Sequence, residues 1–235
     1  MYRLRERNRQ VRDMFSSISG RYDFLNRLLS FGQDVRWRRE AVKKVRMREG
    51  GVHLDLACGT ADMGIELIGQ IKGAEVIGAD ISHRMLEEGR RKVEGKNLGG
   101  QFRFVACAGE SLPFKDGVFD SILIAFGIRN VVERELALWE MARVLKKEGV
   151  LVILEFSLPR SSLMRKGYLF YFRTLLPRLA GIFSDRSAYE YLTESVLDFP
   201  DPEEFKNMMA RSGFAGVSAK AMTMGIVTIF TGKAI

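Results

Sequence analysis

Apolar runs and amphipathic stretches alternate along most of the chain, and this alternation predicts an α/β fold. The apolar runs lie at 52–56, 75–80, 102–106, 119–125 and 150–156. Between them, residues 61–70, 83–94 and 133–146 repeat apolar positions at the period of a helix that packs one face on a core. Strict strand–helix alternation is typical of a doubly wound, mostly parallel sheet. The run at 119–125 is almost wholly apolar, as expected of a central strand covered on both faces.

The first 48 residues predict a helical preface to this sheet. Apolar side chains share one helix face at Val11, Met14, Phe15 and Ile18. A second helix follows around Leu25 and ends at Gly32. We expect Asp34 to cap a third helix, which carries Trp37, Ala41 and Val45. Such a preface either covers the sheet only or forms a lid over a substrate.

Beyond the central strands, residues 158–200 predict a helical insertion, and residues 201–235 predict a final helix and a closing hairpin. The two hairpin strands are expected at 217–223 and 226–231. Residues 167–183 form the most apolar stretch of the chain. Arginines and a proline interrupt it, so it is too short to cross a bilayer. It is either a lid helix or dimer interface, or a wall for an apolar substrate tail that touches a membrane surface.

The clearest chemical signal is the sequence HLDLACGTAD at residues 53–62. A strand that contains Asp55 leads into a turn of small residues around Gly59 and Thr60, and a helix then begins. Small side chains let the backbone approach a ligand closely, and the first turn of a helix offers unpaired N–H groups. Nucleotide-type cofactors are seated in this way at the carboxyl end of a parallel strand.

A second carboxylate supports this interpretation. Asp80 closes the next apolar run about 20 residues later, where dinucleotide-binding folds place the acceptor for ribose hydroxyls. The turn is not GxGxxG, because Ala57 stands at the first glycine and Gly59 is its single glycine. A pyrophosphate needs closer backbone approach than this turn provides. The expected ligand is therefore a nucleoside with an amino-acid tail, S-adenosylmethionine, with NAD as the second candidate. Residues 49–157 form the expected cofactor-binding core.

Composition bears on partners and compartment more than on fold. The hydrophobic fraction of 46% and charged fraction of 28% are ordinary for a soluble globular protein. The net charge of +8 suits an anionic partner such as nucleic acid or an anionic membrane surface, or is an incidental property of the surface. Cys58 and Cys107 form neither a disulfide framework nor a metal-ligand pattern. We therefore expect a cytoplasmic protein without a metal site, with both cysteines as small apolar linings.

Several sequence blocks are more distinctive than the cofactor turn. They are YD at 22–23, SFG at 30–32, LPF at 112–114, FGIRN at 126–130, RVLK at 143–146 and LEFS at 154–157. Together with LDLA at 54–57, they resemble the ubiquinone/menaquinone biosynthesis C-methyltransferases, the UbiE/MenG family, from Met14 to Lys233. The resemblance implies a Rossmann-like class I S-adenosylmethionine-dependent methyltransferase fold with seven strands, in a single domain over residues 1–235.

The resemblance also implies a reaction and a cofactor site. The reaction is methyl transfer from S-adenosylmethionine to a ring carbon of a polyprenylated quinol, either demethylmenaquinol or a methoxy-polyprenyl-benzoquinol. The residues expected at the cofactor are Asp55, Gly59, Thr60, Asp80, Ile81, Ala108, Gly109 and Ala125. Some family side chains are missing here. Ala108 and Gly109 replace an Asn or Asp followed by Ala, Ala125 stands where some members have Ser, and Ala61 replaces a usual glycine.

The chemistry suggests catalytic residues. A reduced quinone ring becomes a carbon nucleophile when a hydroxyl loses its proton. The enzyme therefore has to align the ring, exclude water, stabilise a phenolate and remove the ring proton. Arg129, just past the fourth strand, is the expected partner of the oxyanion, and Asn130 is expected to orient it. Tyr22 or Asp23 is expected to relay the proton. Alternatively, Arg129 only pairs with a carboxylate, and Tyr22 and Asp23 only cap a helix.

Two other functions remain open at this point. The basic charge and arginine-rich N-terminus suit an RNA-modifying methyltransferase. However, the sequence contains no aromatic–basic stacking stretch, and we expect no nucleic-acid partner. The substitutions at Ala61, Ala108 and Ala125 also suit a non-catalytic cofactor-binding scaffold of a quinone-synthesis complex. A homodimer and peripheral attachment to the inner face of the membrane are further expectations.

Overall fold

The computed structural model describes residues 2–45, 49–159, 161–170 and 186–235. Its centre is a seven-stranded sheet in the order β3-β2-β1-β4-β5-β7-β6. The strands are β1 (Val52–Leu56), β2 (Glu75–Asp80), β3 (Phe102–Ala106), β4 (Phe119–Ala125), β5 (Leu145–Phe156), β6 (Phe214–Met222) and β7 (Val227–Ala234). Strands β1 to β5 are parallel, whereas β7 is antiparallel to both β5 and β6. The predicted doubly wound fold and its closing hairpin are confirmed.

Helices cover both faces of the sheet. The preface contains α1 (Tyr2–Ile18), α2 (Tyr22–Leu29) and α3 (Gln33–Val42). The helices that connect the parallel strands are α4 (Asp62–Gln70), α5 (His83–Gly95) and α6 (Arg134–Val144). Between β5 and β6 lie α7 (Ser162–Phe170), α8 (Arg186–Leu197) and α9 (Pro202–Arg211). One buried apolar cluster joins α6 and α9 to the sheet, and a second joins α3, α4 and α5 to its other face. The preface therefore packs on the same face as the helix that follows the cofactor turn.

The parallel register brings the ends of β1 and β2, which carry Asp55 and Asp80, to one edge of the sheet. Leu56 at the end of β1 pairs with Ala79 of β2, and Asp80 pairs with Ala106 at the end of β3. On the other side, Leu56 pairs with Ile124 near the end of β4. The turns after these strands consequently meet at the carboxyl edge of the sheet, where ligands bind in open parallel sheets.

The starts of α5, α3 and β5 are fixed in different ways. Ser82 caps α5, because its hydroxyl accepts the Met85 N–H at 3.3 Å. The prediction that Asp34 caps α3 is wrong. Gly32, with φ of 74°, is the N-cap residue, and the Ser30 hydroxyl accepts the Asp34 N–H at 3.3 Å. Residues 146–149 belong to β5, where Glu148 has a φ of 61° and the register with β4 shifts.

The apolar stretch at 167–183 lies largely outside the described residues, which include only its first four positions, at the end of α7. Its role as a substrate wall or an interface therefore stays a prediction. Among the helices of the described ranges, none combines the length and apolar character needed to cross a membrane.

Candidate functional site

The turn after β1 points its backbone toward the second acidic residue. The Gly59 N–H donates to Asp80 Oδ2 and the Ser82 N–H to Asp80 Oδ1, both at 2.8 Å. Asp80 is buried, and burial raises the pKa of its carboxyl, while the backbone N–H groups oppose that shift. The carboxylate is thus held rigidly at the end of β2, in the geometry expected of a ribose acceptor.

Backbone strain is concentrated in the same turn. Ala57 and Ala61 have φ values of 51° and 70°, in the left-handed region that favours glycine. Each costs about 1 kcal/mol or more relative to a right-handed conformation. Strain of this kind persists where the surrounding structure enforces it, and it is often found at functional sites. Ala61 thus adopts a left-handed backbone conformation that glycine adopts with less strain.

Asp55 lies beneath the turn. Its Oδ2 accepts the Gly64 N–H of α4 at 2.8 Å, and its Oδ1 has no hydrogen-bond partner among the described residues. Burial raises the pKa of Asp55 to about 7. The carboxyl group therefore fixes the first turn of α4 relative to β1. It does not line the narrow cavity described below, so it acts there by positioning this backbone.

A narrow cavity of about 80 Å³ lies beside the turn. Six of the eight predicted cofactor residues line it, namely Gly59, Asp80, Ile81, Ala108, Gly109 and Ala125. Asp55 and Thr60 are not part of its wall. Cys107 does line it, and burial raises the pKa of this thiol to about 12, as suits a small apolar lining. Helix α1 contributes Asn8, Val11 and Phe15, which the sequence did not place at this site.

A larger cavity of about 440 Å³ adjoins the narrow one. Phe15, Tyr22 and Phe126 line both and so form a shared wall. The larger cavity is mainly apolar and lies between the preface, α7 and α8. The rings of Phe126 and Phe156 stand 4.6 Å apart between centroids, and Trp37 meets both edge-on at 6.1 and 6.3 Å. Its volume is that of a typical small-molecule site, and its aromatic wall suits a flat ring.

Arg129 lies at this larger cavity in a buried ion pair. Its Nη1 donates to Glu155 Oε1 at 2.7 Å and to the Phe126 carbonyl at 2.6 Å, and its backbone N–H donates to Glu155 Oε2 at 3.2 Å. The alternative that Arg129 pairs with a carboxylate is therefore correct as a description of this contact. The ion pair with Glu155 does not use all the donors of Arg129, because the Arg129 Nε is buried and has no hydrogen-bond partner among the described residues.

Asn130 lies on the narrow-cavity side of the shared wall, and Tyr22 is part of that wall. The Asn130 side-chain amide donates to the Phe126 carbonyl at 3.3 Å, while its buried Oδ1 has no partner among the described residues. Asn130 lines the narrow cavity, and Tyr22 lines both. Burial raises the pKa of the Tyr22 hydroxyl, whereas its hydrogen bond to Asn26 and the charges of Arg129 and Arg38 lower it. Tyr22 is the predicted proton-relay residue that reaches both cavities.

Asp23 and Thr60 are engaged with each other outside both cavities. The Thr60 hydroxyl donates to Asp23 Oδ1 at 2.5 Å, and the Lys92 ammonium forms an ion pair with Asp23. Lys92 also contacts Asp62 Oδ1 at 2.7 Å. We refer to Asp23, Thr60, Asp62 and Lys92 as the preface clamp, because they join α2 to the cofactor turn, α4 and α5. Neither Tyr22 nor Asp23 caps α2 with its side chain, so that alternative is wrong.

A buried ionic cluster at the larger cavity was not predicted. Arg38 Nη1 donates to Asp34 Oδ2 at 2.5 Å, Arg27 Nη1 reaches the same oxygen at 2.9 Å, and the Ser30 hydroxyl donates to Asp34 Oδ1 at 2.9 Å. Asp34 and Arg38 both line the cavity. The spacing of four residues between them was the available signal, since residues four apart share a helix face. The same spacing occurs in many solvent-exposed pairs.

Comparisons with known proteins show the family of the chain. A model of the ubiE/COQ5 methyltransferase family matches residues 2–234. The ubiquinone/menaquinone biosynthesis C-methyltransferase UbiE of Geobacter sulfurreducens is 52% identical over 99% of this chain and 91% of its own length. The demethylmenaquinone methyltransferase of Thermus thermophilus is 47% identical over 93% of this chain and 99% of its own length.

A solved structure shows a similar fold at low identity. An S-adenosylmethionine-dependent methyltransferase of Thermotoga maritima superimposes with a TM-score of 0.67 and 21% identity. The match covers 95% of this chain and 99% of that one. At such identity the likeness shows the fold alone, because one fold supports many functions.

Proposed function

The chain belongs to the ubiE/COQ5 methyltransferase family, and on that premise we propose that it methylates a ring carbon of a polyprenylated quinol, with demethylmenaquinol as the first candidate. It is an S-adenosylmethionine-dependent methyltransferase of quinone biosynthesis. One observation carries the choice of substrate. A narrow cavity with a ribose-type carboxylate shares a wall with a larger aromatic cavity that holds a buried arginine. A methyl donor and a flat apolar acceptor fit the two sides of that wall. The RNA-modifying and scaffold alternatives gain no support.

The narrow cavity fits the cofactor by its chemistry. Asp80 accepts hydrogen bonds from the ribose hydroxyls, and the small side chains of Ala108 and Ala125, with Gly109 and Ile81, line the side where the adenine is expected. Ala108 and Ala125 bring no side-chain hydrogen bond, so backbone groups take over that part of recognition. Asp55 and Thr60 act indirectly, by fixing α4 and the preface against the turn. When bound, S-adenosylmethionine supplies an electrophilic methyl group on a sulfonium.

The larger cavity holds the ring. The Phe126 and Phe156 side chains pack against it, and the preface helices exclude water, which strengthens polar interactions inside. Arg129 donates a hydrogen bond to the ring oxygen beside the reacting carbon and stabilises the negative charge that develops there. Glu155 orients the guanidinium, and Asn130 positions the same segment. Tyr22, at the shared wall, relays the proton, while the partnering of Asp23 with Lys92 favours a positioning role for Asp23.

The mouth of the larger cavity suits a lipid tail. Phe31 and Leu163 line the cavity and are 78% and 80% exposed. Phe24 and Leu28, also exposed, share a face of α2 because they are spaced at i and i+4, and Phe31 follows just after the end of that helix. The tail leaves the cavity at this apolar rim, and the basic protein rests there on the inner membrane surface. Flotation with liposomes of anionic lipid tests this contact, and equal recovery with neutral and anionic liposomes would argue against the electrostatic part.

The decisive experiment is methyl transfer from labelled S-adenosylmethionine to demethylmenaquinol and to a methoxy-polyprenyl-benzoquinol, assayed side by side under strong reductant. We expect label in the menaquinol product and none with the oxidised quinone. Label in both quinols extends the function to both pathways. Activity indifferent to the reductant, or no label in either product despite measured cofactor binding, overturns the quinol proposal.

A further inference from the structure

Two buried ion pairs each place an arginine at the wall of the larger cavity, although the chemistry proposed above needs one cation. The Arg129 and Glu155 side chains are 6% and 0% exposed, and those of Arg38 and Asp34 are 8% and 4% exposed. Burying charged groups costs free energy that their mutual attraction often fails to offset. A second pair at the wall of an otherwise apolar cavity therefore requires an explanation in terms of what the cavity binds.

The two guanidiniums flank one aromatic surface. Arg38 lies 5.8 Å from the centre of the Phe126 ring, and Arg129 lies 5.4 Å from the centre of the Phe156 ring. The two phenyl rings pack against each other at 4.6 Å. Tyr22 lines the same cavity as both cations, and both charges lower the pKa of its hydroxyl. A flat ring that packs against Phe126 and Phe156 therefore shares this cavity with both guanidiniums.

Arg38 lines the cavity and retains unused hydrogen-bond donors. Its Nη1 donates to Asp34 and lies 3.6 Å from Asp62 Oδ2, whereas Nε and Nη2 donate to no residue in the described ranges. Asp34 accepts three hydrogen bonds, from Arg27, Arg38 and Ser30. An ionised carboxylate has about four acceptor positions, so one remains, on Oδ1. The pair thus combines unused donors on Arg38 with an unused acceptor position on Asp34, and a hydroxyl group can use both kinds of partner.

We propose that Asp34 and Arg38 form a second polar anchor, which binds the ring hydroxyl para to the one held at Arg129. The inference rests on the proposed quinol substrate and deepens it. A 1,4-quinol carries its oxygens at opposite ends of the ring, so two anchors fix which ring carbon faces the methyl donor. A quinone carbonyl accepts hydrogen bonds but donates none, so it leaves the Asp34 acceptor unmatched. The anchor therefore selects the reduced ring, the form that can react.

A comparison of two substrates tests this role. One is demethylmenaquinol, and the other is a prenylated naphthol that keeps the hydroxyl beside the reacting carbon and lacks the para hydroxyl. Arg38→Met should lower kcat/KM for the quinol by about 10- to 100-fold, the range for hydrogen bonds to charged groups, and change that for the naphthol less than threefold. Arg38→Lys keeps the charge and should give an intermediate ratio. Arg39→Met is the control, since Arg39 is exposed, pairs with Glu66 and does not line the cavity.

The ratio of the two kcat/KM values on one preparation is independent of the folded fraction, so a partly unfolded variant still gives a result. The lower intrinsic reactivity of the naphthol is the same in each protein and cancels. An unchanged ratio in both Arg38 variants overturns the anchor and leaves Arg38 a structural residue. If the wild-type protein methylates neither compound but methylates another acceptor, the proposed quinol function fails first, and the two failures are distinct.

Discussion

The two adjoining cavities are built in different ways. The narrow cavity lies at strand ends, and its essential contacts involve backbone groups of Gly59 and Ser82 that the sheet register fixes around Asp80. The larger cavity lies between helices that are distant in the sequence. Its polar groups are single side chains in buried pairs, such as Arg129 with Glu155.

This difference explains which substitutions each cavity tolerates. Backbone contacts survive a change of side chain, so the small side chains of Ala108 and Ala125 are compatible with an intact narrow cavity. A buried pair has no such substitute, because loss of one member leaves an uncompensated charge. Variants of the narrow cavity should therefore change cofactor affinity in graded steps. Variants of the larger cavity should change catalysis and folding together.

The largest effects are expected from Arg129→Ala. Loss of the oxyanion donor should lower kcat about 10²- to 10³-fold. Because Glu155 is left buried and unpaired, the free energy of unfolding should fall by about 3–5 kcal/mol. Titration calorimetry should give a cofactor Kd close to that of the wild type, since the narrow cavity is intact.

A double variant separates the two effects of Arg129. Arg129→Met with Glu155→Gln removes both charges and should recover most of the stability in urea unfolding, while kcat stays low. If kcat returned with stability, Arg129 would be a structural residue only, and the larger cavity would lose its proposed oxyanion partner.

The next prediction concerns the support beneath the narrow cavity. The pKa of Asp55 is about 7 in the folded protein and 3.8 in an exposed carboxyl. Its stabilising contribution is therefore complete below pH 3.8 and is lost as the pH rises through about 7. The loss is at most about 4 kcal/mol. In Asp55→Asn, the free energy of unfolding, measured in urea, should therefore fall less between pH 5 and pH 8 than it does in the wild type.

The Asp120→Asn variant is a control of opposite sign. The hydrogen bond from Lys146 and the N–H of Val52 lower the pKa of Asp120, although burial opposes them. Its contribution is present at neutral pH and is lost as the pH falls through the lowered folded pKa. If the free energy of unfolding depended on pH in the same way in the wild type and in Asp55→Asn, Asp55 would not bind the predicted proton.

A smaller effect is expected from Asp80→Asn, which removes the charge of the ribose acceptor and keeps one of the two oxygens that accept backbone N–H groups. Cofactor affinity should fall about 10- to 100-fold, the range for hydrogen bonds to a charged group. The KM for the quinol should stay unchanged. Glu75→Gln, at the exposed start of the same strand, is the matched control. A quinol KM that rose as much as the cofactor Kd would contradict the separation of the two cavities.

The smallest effect should come from the preface clamp. Lys92 and Asp23 are 21% and 37% exposed, so their ion pair contributes about 1 kcal/mol or less. Asp23→Asn should raise both the cofactor Kd and the quinol KM a few-fold, because the clamp joins α2 to the cofactor turn. Glu88→Gln, also on α5, is the control, because Glu88 pairs with Arg91 and is not part of the clamp. A fall in kcat above about 100-fold with normal binding would instead make Asp23 the proton relay.

The sequence predicted the narrow cavity better than the larger one. The cofactor turn and Asp80 follow from short-range patterns, since strand ends and small-residue turns are local signals. Asp34 illustrates the opposite case. Its position before a helix favours a cap, but Arg27 and Arg38 compete for the carboxylate once α2 and α3 pack together. The wall made by Asn8, Val11 and Phe15 was also missed, because an apolar helix face does not reveal which part of the sheet it will cover.

The position of α1 has a consequence for the order of events in turnover. The narrow cavity holds about 80 Å³, whereas sites for ligands of nucleoside size hold about 300 Å³ or more. We therefore expect α1 to move outward when the methyl donor binds. Phe15 belongs to both walls, and Ser16 holds α1 to Ser82 through a 2.9 Å hydrogen bond. An acceptor ring that packs against Phe15 should oppose this movement. We therefore expect the donor to bind before the acceptor and the demethylated donor to leave last.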